Sequence, residues 1–171
     1  VLAGNANNAP TSTLVDLPSG LAGVRSTLHY MVGLVRQYRT DLNVRTLAIE
    51  LTRDCPEKDA RAEVTALQRF CRDKIKYMRD IDEVETLQTP VQTLKLGVGD
   101  CDDKATLLGA LLGSIGYPSR FCAIGVRGEF YSHVMCQARL GRGWVNCETI
   151  VKDVDIGWFP PDATSFMLAH V

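Results

Sequence analysis

The chain predicts an α+β fold, with helices first and a small antiparallel sheet after them. Three observations carry that expectation. Apolar residues recur at helical spacing from Val24 to Ile75. A nearly all-apolar helix opens at Gly99-Asp100-Cys101 and closes at Gly116. Beyond Arg120 the chain turns to strand-like runs broken at Gly128 and at Gly141-Arg142-Gly143. Segregation of helices from strands argues against an alternating βαβ sheet.

Each element has its own signal. Residues 1–20 carry Asn, Ala, Pro, Thr and Ser without periodicity and read as an extended N-terminal arm, leaving 21–171 as a single domain. The first helix uses Val24, Leu28, Met31, Val32, Val35 and Tyr38. A second follows Thr40 on Leu42, Leu47, Ala48 and Leu51. Pro56 and Glu57 suit the start of a third, carrying Val64, Leu67, Phe70, Cys71 and Ile75. Residues 77–89 lack a period and read as a loop. Thr89-Pro90 opens a short helical turn that stops at Gly97 or Gly99. The apolar helix follows, with Pro118 beyond its end. Three strands are expected, Arg120–Val126, Phe130–Leu140 and Trp144–Val151, joined as a meander.

Composition narrows the function classes. The chain has 171 residues, 46% hydrophobic and 23% charged, as in ordinary globular domains. Its 19 basic and 20 acidic residues give a net charge of −1, without the basic excess of a nucleic-acid binder. The longest uncharged apolar stretch, Ala105–Ser119, is too short to span a bilayer. The first 20 residues lack the basic start and apolar core of a signal peptide. Six cysteines are too sparse for a disulfide scaffold, and none form Cys-x-x-Cys. Cys71, Cys122, Cys136 and Cys147 fall on apolar helix or strand positions and read as reduced packing residues.

Cys101 differs, because acids flank it on both sides. It lies where a glycine-rich loop enters a helix, so its sulfur meets the positive end of the helix dipole. A cysteine nucleophile also needs a base and a group to orient that base. Among the three histidines, His29 falls on the polar face of the first helix and His170 next to the end of the sequence. His133 lies mid-strand, where alternation predicts that Tyr131, His133 and Met135 point together. On the next strand Asn146 and Glu148 are expected to share a face, and either could hold the imidazole.

This order of groups resembles the transglutaminase-like superfamily, a papain-related group of cysteine enzymes. The resemblance is carried by Ile75-Lys76-Tyr77, by Gly99-Asp100-Cys101-Asp102-Asp103-Lys104-Ala105, and by Leu111-Leu112 with Gly116-Tyr117-Pro118-Ser119-Arg120. It continues through His133-Val134 and Trp144-Val145-Asn146-Cys147-Glu148-Thr149. It implies a papain-like core over residues 70–151, with the nucleophile at Cys101 and the base at His133. The family's third residue, usually Asp, falls on Glu148; Asn146 is the papain-like alternative. The implied chemistry is attack on a peptide or amide bond through a thioester, with protease or amidase action preferred to amine transfer. Cys101 N–H is one expected oxyanion donor, with Gln88 and Gln92 as candidates for the other.

Asp100, Asp102 and Asp103 surround the nucleophile and should oppose thiolate formation. Acids at a helix start also cap free N–H groups. A related family of calcium-dependent periplasmic cysteine proteases carries acids on both sides of its cysteine. By that resemblance the three aspartates are candidate calcium ligands; no other cofactor is expected. Leu17-Pro18-Ser19-Gly20, Thr27-Leu28 with Met31, and Leu87-Gln88-Thr89-Pro90 resemble phage and prophage proteins with such a domain. That resemblance implies a cytoplasmic or virion-associated setting, a peptide or protein substrate, and other phage structural proteins as partners. The competing class is a non-catalytic structural or interaction protein, such as a virion component that keeps the fold.

Overall fold

The computed structural model describes residues 19–79, 86–128 and 130–171. The segment 1–18, which holds most of the expected arm and Leu17-Pro18, lies outside the described residues. So does 80–85 of the expected loop.

Four helices surround a fifth. α1 (Gly20–Tyr38) buries the stripe Leu28, Met31, Val32 and Val35. α2 (Leu42–Thr52) is capped by Asp41, whose carboxylate accepts from Asn43 and Val44 N–H. α3 (Ala60–Lys74) starts later than Pro56 would suggest, because the Asp59 side chain caps it by accepting from Ala62 N–H. Each such cap contributes about 1 kcal/mol. α4 (Pro90–Leu96) has Pro at its first turn and stops at Gly97, whose φ of +67° suits glycine. α5 (Cys101–Ser114) buries 11 of its 14 residues, so it is enclosed on every side. Gly109 lets α1 approach it: a Cβ there would lie 2.9 Å from Val35 Cγ2.

β3 (Ser119–Val126), β4 (His133–Leu140), β5 (Gly143–Cys147) and β6 (Ala163–His170) form one antiparallel sheet in the order β5-β4-β3-β6. α5 lies against β4 and β3, and Phe121, Ala123, Val134, Cys136, Ala138 and Cys147 close the core beneath it. A smaller apolar cluster of Cys122, Ile124 and Met135 sits on the opposite face under Phe159.

Four differences from expectation matter. The expected loop contains β1 (Lys76–Tyr77), paired in parallel with β2 (Val98–Gly99). The expected meander gains β6, an edge strand on β3. β4 begins at His133 rather than Phe130, because Tyr131 takes a φ of +40°. Tyr131 therefore packs toward the main core and Met135 toward the smaller cluster, so the two do not point together. β5 ends at Cys147, so strand alternation does not reach Glu148.

Candidate active site

The nucleophile position is built by the first turn of α5. Asp100 caps the helix by accepting from Asp102 and Asp103 N–H. Asp103 reaches back to Asp100 N–H at 3.3 Å and accepts from Gln88 N–H at 2.7 Å. This reciprocal capping box holds Cys101 as the first helical residue, with an N–H that has no acceptor inside the helix. Gly99 is required here, since a Cβ would lie 2.7 Å from Asp103 Cβ.

The half-buried Cys101 thiol donates to Asp102 Oδ1 at 3.4 Å, and Val134 N–H faces the sulfur from the sheet. Burial pushes the thiol pKa up, and the Asp102 and Asp100 carboxylates push it further. Val134 N–H opposes them without prevailing. That N–H puts the sulfur near the residue that follows His133. No hydrogen bond joins Cys101 to His133 itself.

His133, at the first position of β4, has its Nε2 2.7 Å from Glu148 Oε2. Glu148 is fully buried, and its other oxygen accepts from Ile150 N–H at 2.6 Å and Val151 N–H at 3.3 Å. Burial opposes ionisation, yet the bond to His133, that residue's charge and the two N–H donors hold the carboxyl below its usual range. With Nε2 engaged, Nδ1 is the nitrogen left for a thiol. Asn146 is elsewhere: its Oδ1 accepts from Gln137 Nε2 at 2.6 Å, and its amide reaches Gly157 O. The expected shared face of Asn146 and Glu148 fails because the strand stops between them.

Three polar residues that sequence reasoning missed hold this corner. Gln68 on α3, itself fully buried, donates through Nε2 to Glu148 O at 2.5 Å. Arg72 Nη1 donates to Val154 O at 2.6 Å, and Arg61 Nη2 to Ile156 O at 3.2 Å. One face of α3 thus grips the main chain of the segment after Glu148. Lys104, 2% exposed, donates to Ile75 O at 2.8 Å and Arg72 O at 3.3 Å, tying α5 to the end of α3. Burial lowers the Lys104 pKa, while Cys71, Glu148 and Asp73 favour its charged form. Gln68 had a signal, being polar on the apolar stripe Val64, Leu67 and Cys71.

The remaining candidates separate. Gln88 is fixed through its N–H by Asp103, and its buried Oε1 has no partner among the described residues. Gln92 sits in the first turn of α4, with its N–H on Thr89 Oγ1. Asp103 has both oxygens engaged by N–H donors, so the ligand atoms that converge within 4.8 Å belong to Asp100, Cys101 and Asp102. That set mixes oxygen with sulfur, which suits calcium less well than three carboxylates would.

A cysteine opening a central helix, packed on an antiparallel sheet that carries a histidine–carboxylate pair, defines the papain-like α+β class. Residues 45–149, more than half of the chain, match the family model of the transglutaminase-like superfamily. The chain belongs to that superfamily. Solved structures that share the fold include two from bacteria. One is a candidate protease from Parabacteroides distasonis, at a TM-score of 0.59 and 12% identity over 81% of this chain and 31% of that one. The other is a candidate cysteine protease from Cytophaga hutchinsonii, at 0.55 and 15% over 83% and 56%. The chain therefore spans less than two thirds of either. No curated protein matches the sequence. Among the described residues no helix is long and apolar enough to cross a membrane.

Proposed function

We infer that the protein is a cysteine enzyme that opens a peptide or amide bond, with Cys101 as nucleophile, His133 as base and Glu148 as the orienting acid. The observation that carries this is the 2.7 Å bond between His133 Nε2 and a fully buried Glu148 carboxylate, next to the residue whose N–H faces the Cys101 sulfur. Glu148 holds the proton on Nε2 and leaves the Nδ1 lone pair for the thiol. Because the thiol pKa is raised, proton removal accompanies attack instead of preceding it as a resting ion pair.

Sulfur bonds to the carbonyl carbon as His133 takes the thiol proton. The oxyanion then forms within reach of Cys101 N–H, with the Gln88 side-chain amide as second donor. Collapse breaks the C–N bond, and His133 returns its proton to the leaving amine. Water, activated by the same imidazole, resolves the thioester. An amine in place of that water would give transfer; hydrolysis is preferred because it needs no second binding site.

One observation favours the competing reading, a structural component of an assembly such as a virion: the resting thiol is hydrogen-bonded to Asp102, not to His133. Low iodoacetamide near neutral pH, followed by peptide mass mapping, separates the two. The enzyme reading expects His133 to assist removal of the Cys101 proton, so that His133→Ala slows labelling of Cys101 and of no other cysteine. Uniform slow labelling, unchanged by His133→Ala, would leave the structural reading.

A further inference from the structure

We propose that the edge of β6 and the overlying face of α1 form a docking groove for an extended acidic polypeptide, which joins the sheet as a fifth strand. The groove is lined by Arg25, His29 and Arg36 of α1 over an apolar floor that includes Val32 and Met167; His170 of β6 borders it, with its ring packed on Trp144. Among the described residues no carboxylate lines it. Neither α1 nor β6 contains any Asp or Glu, although the chain has 20. Among the described residues neither Arg25 nor Arg36 has an ion-pair partner or a side-chain hydrogen bond.

Among the described residues the strand edge beside these arginines is open. β6 is the last strand of the sheet. Val171 N–H donates to Ser119 O, so antiparallel alternation turns the N–H and C=O groups of Phe166, Leu168 and His170 away from β3. Among the described residues nothing else bonds to them. Soluble proteins normally blunt such an edge with lysine, proline or a cover. β6 has neither lysine nor proline, and it exposes Phe166 and Leu168.

Spacing and charge select the occupant. Arg25 and Arg36 are eleven residues apart on α1, about 16 Å, too far to share one small anion. That distance matches about five residues of extended chain, so carboxylates along an added strand can meet both ends. A second copy paired edge to edge would set these cations against their own duplicates. A nucleic acid would use the arginines but neither the strand amides nor the apolar floor. Strand addition uses all three, with main-chain bonds giving affinity and side chains giving selectivity. The groove adjoins the Arg120–His170 end of β3, whereas His133 pairs with Ile124 at the other end. It is therefore separate from the catalytic corner and independent of the reaction.

The test uses the full chain and a fluorescein-labelled octapeptide of alternating Glu and Val, read by fluorescence anisotropy at low salt. Saturable binding is expected, weakened about tenfold or more when Arg25→Glu and Arg36→Glu are combined. Leu168→Pro removes an outward donor without disturbing the β3 ladder, and should weaken binding by a similar factor. If Leu168→Pro fails to fold, the octapeptide N-methylated on alternate residues replaces it, and weaker binding of one methylation register than the other is expected. Absence of binding at millimolar peptide would overturn the proposal. So would indifference to Leu168→Pro or to both methylation registers, which leaves unspecific charge attraction. Tighter binding of octathymidylate at the same arginines would reassign the groove to nucleic acid. A sedimenting dimer that the peptide does not dissociate would reassign it to a second copy.

Discussion

Glu148→Gln is the sharpest probe of the catalytic corner, because it changes charge and proton donors while keeping shape. In the parent, one Glu148 oxygen accepts from Ile150 and Val151 N–H and the other meets His133 Nε2. Glutamine can keep its oxygen on the two main-chain donors, which then points its NH2 group at Nε2. Two donors cannot face each other, so the imidazole must give up the Nε2 proton and carry it on Nδ1. The lone pair then faces the wrong way for the thiol. The charge-assisted bond lost is worth about 1.5–3 kcal/mol to the imidazolium, a rate loss on the order of 10- to 100-fold. The assay is the pH–rate profile of Cys101 alkylation by iodoacetamide, read by mass spectrometry beside any peptide hydrolysis. Glu148→Gln should lower the rate and shift the rising limb, while circular dichroism stays unchanged. A rate within twofold of the parent, at every pH, would refute the role given to Glu148. The same carboxyl sets an acid limit on stability. Its folded pKa is depressed, so its stabilising contribution is complete above about pH 4.3 and is lost as pH falls through the lower folded value. Glu148→Gln should flatten that acid limb of the melting curve.

Two further outcomes follow from the neighbouring groups. Gln68→Ala leaves Glu148 O without its buried donor and should cost about 2 kcal/mol, or roughly 4–8 °C in Tm by calorimetry; it should also slow Cys101 alkylation, and an unchanged Tm would show that Gln68 does not hold that segment. Calcium at millimolar concentration should leave the Tm of chelator-treated protein unchanged, because both Asp103 oxygens are engaged by N–H donors; a rise of several degrees would mean that Asp100 and Asp102 bind the ion.

What was legible in the sequence follows from how local each signal is. Helical periodicity located α1, α2 and α3, and Pro90 with Gly97 bracketed α4, because caps and apolar stripes are short-range features. Cys101 at the start of α5 was legible for the same reason. β6 was not, since Ala, Met and Leu in its sequence suit a helix as well as a strand, and only pairing with β3 decides. β1 and β2 have two residues each and exist only through each other. The choice between Asn146 and Glu148 turned on where β5 stops. That stop is set by Glu148 folding its carboxylate onto Ile150 and Val151 N–H, and strand alternation does not foresee it.

The grip of α3 on the segment after β5 sets which side of this corner tolerates substitution. Gln68, Arg72 and Arg61 recognise the carbonyl oxygens of Glu148, Val154 and Ile156, which any amino acid would present. Main-chain recognition is indifferent to side-chain identity. Val154 and Ile156 can therefore drift, within the limits of the core that Ile156 joins, while the buried acid keeps its place. The constraint is displaced some 80 residues upstream in the chain, onto a helix that carries none of the three proposed catalytic residues. Saturation mutagenesis should find that asymmetry: a permissive segment around an immovable carboxylate, and an intolerant stripe on α3.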